Sequence, residues 1–97
     1  MPKRVDENQK LIVKTFRQLG ASVQVLSNIG KGCPDILVGI FGKNFLIEIK
    51  NGAKCPSAQR LTEDETYFHE SWKGQVCIVK SVDEVFQIMD KMVKREI

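Results

Sequence analysis

Apolar positions along this chain follow first a helical period, then a strand period, and the switches between the two mark out seven elements. From Asp6 to Leu19, Ile12, Phe16 and Leu19 recur at helical spacing while Lys10, Lys14 and Arg17 turn to other faces; Gly20 supplies a C-terminal stop. Ser22 to Leu26 alternates Val23 and Val25 against Ser22 and Gln24, which predicts a strand, and the SNIGKGCP run after it is dense in turn formers. Two β-prone runs follow, Asp35 to Phe41 (DILVGIF) and Asn44 to Lys50 (NFLIEIK), separated by Gly42 and Lys43. That spacing predicts an antiparallel hairpin.

The polar stretch NGAKCPSAQR contains Pro56 and reads as a connection. Thr62-Glu63-Asp64-Glu65 matches a capping box and starts a helix that runs to about Trp72, with Gly74 beyond its end. Gln75 to Lys80 (QVCIVK) is a short apolar strand of the kind found inside a mixed sheet. A second capping box, Ser81-Val82-Asp83-Glu84, opens a last helix with Val85, Met89, Met92 and Val93 on one face and Lys91, Lys94 and Arg95 at its negative end. The predicted order is helix, three strands, helix, strand, helix, without repeats or low-complexity tracts.

Ninety-seven residues make one compact domain, so a single domain over 1–97 is expected. No apolar run approaches the length of a membrane span, and MPKRVDENQK has no apolar stretch after its basic residues, so the expectation is a cytoplasmic protein with no membrane partner. Cys33, Cys55 and Cys77 lack CxxC spacing and have only His69 to join them, which predicts free thiols and argues against a tetrahedral zinc site. A net charge of +3 and a pI near 8.8 are compatible with a polyanionic partner but do not demand one.

The hairpin carries the chemistry. Glu48 and Lys50 are two apart on a strand and share a face, about 7 Å from each other. Antiparallel registry places Asp35 opposite the stretch from Glu48 to Lys50. Charges converging among Ile36, Leu37, Leu46, Ile47 and Ile49 are costly unless they pair or hold a metal. Paired carboxylates suit Mg²⁺, which keeps several waters and takes phosphate oxygens; a neighbouring lysine can orient or deprotonate water, or neutralise developing charge. The chemistry implied is phosphodiester hydrolysis. A Pro-Asp pair or an ExK triplet alone is noise, and an ordinary Glu/Lys surface pair is the bland alternative; the conjunction with Asp35 favours a site.

Gly32-Cys33-Pro34-Asp35, a hydrophobic hairpin and then Glu48-Ile49-Lys50 resemble the GxPD…ExK signature of the PD-(D/E)xK nucleases. More narrowly, with the preceding helix and the Leu61-Thr62 helix start, the chain resembles the virus-type replication-repair nuclease (VRR-NUC) domain in its small stand-alone phage form, which is similar to archaeal Holliday junction resolvases. The resemblance implies an α/β fold with a restriction-endonuclease-like αβββαβ core, a mixed sheet and an extra C-terminal helix. It also implies a DNA-repair type of endonuclease dependent on Mg²⁺, with Mn²⁺ able to substitute, in which Asp35, Glu48 and the Ile49 carbonyl hold the metal and Lys50 is catalytic. A homodimer acting on branched DNA such as Holliday junctions is the expected mode. Restriction-like or flap-directed cleavage, a noncatalytic DNA-binding module and an RNA nuclease are the alternatives.

Related enzymes carry a glutamate on the first helix; here the candidates are Asp6, Glu7, Asn8 and Gln9, with Asn8 and Gln9 on the core-facing stripe. Gln9 is counted with the catalytic residues, although Asp6-x-x-Gln9 also fits a plain helix cap. Relatives place a glutamine at the position of Glu65, a residue for which no role is expected. Lys31 in its glycine-rich loop, Lys54 and Arg60 are candidate DNA contacts, set against ordinary solvated lysines. His69 and Trp72 are read as packing residues. Phe86, Met89, Met92 and Val93 offer either a dimer interface or core.

Overall fold

The computed structural model describes residues 7–94. Its elements are α1 (Glu7–Gln18), β1 (Ser22–Val25), β2 (Ile36–Ile40), β3 (Lys43–Ile49), α2 (Pro56–Gln59), α3 (Glu63–Ser71), β4 (Val76–Val79) and α4 (Val82–Val93). All seven predicted elements are present, and α2 is an additional single turn inside the predicted connection, started by Pro56, whose ring suits a first helical position. The strands form one mixed sheet in the order β1-β2-β3-β4, antiparallel except for the parallel β3–β4 pair. β4 therefore lies at an edge, not inside the sheet as the sequence suggests.

Strand alternation sorts β3 into two faces. Phe45, Ile47 and Ile49 join Ile36, Val38 and Val79 beneath Ile12, Val13 and Phe16 of α1 and Val85 and Met92 of α4, forming the buried core. Leu46, Glu48 and Lys50 point to the opposite face, where α3 lies. Leu19 is past the end of α1 and partly exposed, and Val93 is 63% exposed, so neither belongs to the core that its spacing suggests. The predicted cap at Asp6 and the basic end at Arg95 lie outside the described residues. At α4, Ser81 accepts the Glu84 N–H as expected, but the Glu84 carboxylate returns to the N–H of Lys80. Among the described residues only α3 has the full reciprocal box.

The hairpin turn is Phe41-Gly42, one residue earlier than predicted. Both residues have positive φ, 54° and 74°, the geometry of the tight turns that match strand twist, and Ile40 pairs with Lys43. Phe41 gains no burial there and is left exposed. Moving a turn by one residue moves every cross-strand partner by two, and here that shift decides which residue faces Asp35.

Candidate active site

Ile36 pairs with Ile47, so Asp35, the last residue before β2, lies across from Glu48 rather than Lys50. Asp35 continues the ladder with its side chain: Oδ2 accepts the Ile49 N–H at 2.7 Å. The Asp35 carbonyl accepts the N–H of Leu26, which fixes the loop before it. Asp35 is 5% exposed and Glu48 2% exposed. Burial, then a hydrogen bond and charge from Asp35, push the Glu48 carboxyl up to about 9, against a lowering by Lys50. Glu48 Oε1 is buried without a hydrogen-bond partner among the described residues. Two carboxyls forced together in a dry site, one holding an orphaned oxygen, are unfavourable for the fold and favourable for cation capture.

Lys50 follows β3 and shares the face of Glu48. Its Nζ is 2.7 Å from Glu65 Oε1, both side chains being largely buried. The same Oε1 accepts the Thr62 N–H at 2.8 Å, so the capping box of α3 and the grip on Lys50 are made by one atom. Burial raises the Glu65 carboxyl, but hydrogen bonds from Lys50 and Thr62 and the Lys50 charge outweigh it and leave it below the usual range. Asn8 Nδ2 donates to the Lys50 carbonyl at 3.0 Å and ties α1 to the end of β3. Sequence reasoning gave Glu65 no role: the capping box accounts for it locally, and only the packing of α3 on the sheet brings it to Lys50. His69, one turn further on, feels Glu65 and Lys50; burial lowers its imidazole and its Nε2 has no hydrogen-bond partner among the described residues.

The other candidates divide. Gln9 is buried and donates to Ser27 Oγ at 3.0 Å, one residue from the Leu26 N–H that bonds Asp35; it borders the acidic pair through Ser27. Glu7 is exposed and pairs with Lys10. Lys31, Lys54 and Arg60 are all exposed. In the glycine-rich loop, Gly32 has φ +76° and an added Cβ would lie 2.3 Å from the Asp64 carbonyl oxygen. Close approach to the backbone of α3 therefore explains that glycine without a phosphate. Trp72 stacks on Phe68 with centroids 4.9 Å apart, as a packing residue does. None of the three cysteines forms a disulfide.

Among the described residues no three His, Cys, Asp or Glu side chains converge on a common point that could hold an ion. That excludes a closed cage but fits a hard cation, which takes one or two carboxylates and keeps its waters. Asp35 and Glu48, the latter with an unpartnered oxygen, supply two carboxylates of that kind.

The four-stranded mixed sheet with its helices, and the acidic pair beside a lysine, define an α/β domain of the restriction-endonuclease-like class. No protein-family model matches the sequence, and no curated protein matches it. The fold is similar to a solved structure described as a VRR_NUC domain, with a TM-score of 0.56 and 29% identity over 84% of this chain and 89% of that one. This chain thus has the fold of a VRR-NUC domain. Among the described residues no helix is long and apolar enough to cross a membrane.

Proposed function

We propose that the chain is a divalent-metal-dependent DNA endonuclease in which Asp35, Glu48 and the Ile49 carbonyl hold Mg²⁺, or Mn²⁺ in its place. The observation that carries this reading is the buried Glu48 carboxyl, raised to about 9 beside Asp35 with one oxygen unpartnered. A cation there would take the place of the proton and relieve the repulsion between the two carboxylates. When bound, the metal polarises a phosphodiester oxygen and acidifies water. Lys50, held by Glu65, orients the attacking water and offsets charge on the phosphorane-like transition state. Gln9 and Ser27 fix the wall next to Asp35. Lys31, Lys54 and Arg60 contact the phosphate backbone around the site.

The substrate is branched DNA, four-way junctions foremost, cut by a homodimer. Phe86 and Val93 on α4, and Phe41 beside Val93, are more than half or about half exposed and supply apolar surface for a twofold contact. Purified protein incubated with Mg²⁺ on matched linear, flap, four-way and RNA substrates tests the reading, with light scattering for the oligomer. The expected result is preferential junction cleavage by a dimer, abolished in EDTA. Undiminished cleavage in excess EDTA sinks the metal site, and a strict monomer cutting junction and duplex equally removes the resolvase-like mode.

A further inference from the structure

Positive charge is distributed unevenly along this molecule. From Asn8 to Pro34 there are four basic residues, Lys10, Lys14, Arg17 and Lys31, and no acidic one, so this stretch carries more than the chain's whole net charge of +3. Acidic side chains gather instead on α3 and α4. Three of the four basic residues lie on α1 at i, i+4 and i+7, a single stripe. The stripe flanks a groove of about 570 Å³ between α1 and the β1 edge, with Val13 and Val25 also lining it and Gln9 at its head.

We propose that this groove is a track for the phosphate backbone of one strand of the DNA, leading it to the acidic site; the proposal rests on the nuclease reading above. The N-terminal end of α1 is the end at the site: Asn8 holds the Lys50 carbonyl, and Gln9 holds Ser27 beside the Leu26–Asp35 bond. Lys10, Lys14 and Arg17 lead away from it over a rise of about 10 Å, the length in which one strand of duplex DNA advances about three phosphates. The cations are available for this. No hydrogen bond or ion pair holds Lys14 among the described residues, Lys10 has only an exposed pair with Glu7, and Arg17 spends Nη2 on the Val23 carbonyl with other donors left over. The partly exposed Val25 gives an apolar surface for the sugars between phosphates.

Anisotropy of a labelled duplex titrated with protein in Ca²⁺ at several NaCl concentrations reads the track directly. Every phosphate that a variant no longer neutralises lowers the slope of log K against log salt by about 0.9 for duplex DNA, so Lys10→Gln/Lys14→Gln lowers it by about 1.8. Arg17→Lys keeps its charge and the slope; Lys91→Gln, on α4 outside the groove, keeps it too. A double variant that melts like wild type and retains the wild-type slope overturns the track, as does a wild-type protein that binds no DNA. The two readings fail separately. Cleavage by wild type with an unmoved slope removes the track and leaves the nuclease; a lowered slope in a protein that never cuts in Mg²⁺ leaves the track and removes the nuclease.

Discussion

Replacing Glu48 with glutamine tests whether the buried acid is held for a cation at the expense of the fold. The folded carboxyl sits at about 9 against an ordinary value of 4.5, raised first by burial and then by Asp35. An acid whose folded value is raised binds more protons in the folded state between those two values, so its contribution is full below 4.5 and is lost as pH rises toward 9. At about 1.36 kcal/mol per pH unit, the loss at pH 7 reaches at most about 3 kcal/mol. Glutamine has the same shape, cannot ionise, and its amide can donate to Asp35 as the protonated acid does. Glu48→Gln is therefore expected to be more stable than wild type in EDTA at pH 7, by up to about 3 kcal/mol, and to lose that advantage near pH 5. For a domain of this size about 3 kcal/mol is a rise in Tm of roughly 12 °C or more. Urea or thermal unfolding of both proteins from pH 5 to pH 8 measures it, and the difference between them cancels the titrating groups that do not interact with Glu48. Mg²⁺ should stabilise wild type increasingly as pH rises, since the cation takes the place of the proton, and leave the variant unmoved. A stability difference that is flat across this range, or a variant less stable throughout, refutes the reasoning.

Lys50→Ala is expected to lower cleavage at least a hundredfold, about 2.7 kcal/mol of transition-state stabilisation, while DNA binding in Ca²⁺ persists. Near wild-type single-turnover rates would move the catalytic cation elsewhere. Gly32→Ala should destabilise by more than about 2 kcal/mol, because a Cβ there meets the Asp64 backbone at an unfavourable φ, whereas Gly30→Ala, with similar φ and open space, should cost about 1 kcal/mol. Equal urea midpoints for the two would show that the loop is not pressed on α3.

Local pattern determined a good deal of this protein. Binary periodicity placed seven elements, glycine and capping residues bounded them, and two-residue alternation put Glu48 and Lys50 on one face, because each of these depends on neighbours within a few positions. The motif residues around the hairpin also carried the family resemblance, which the solved VRR_NUC domain bears out. Tertiary structure decided what spacing leaves open. The turn at Phe41-Gly42 gave Asp35 the partner Glu48, since one residue of turn placement moves the register by two and DILVGIF alone does not mark where the chain reverses. β4 became an edge because strand order depends on which face each crossover takes. Val93 stayed outside the core, which α4 enters through Val85 and Met92. Glu65 reached Lys50 across fifteen positions of chain, a contact with no period to announce it: a capping carboxylate and one that grips a distant lysine look alike in sequence, and only the packing of α3 against the sheet makes this one both.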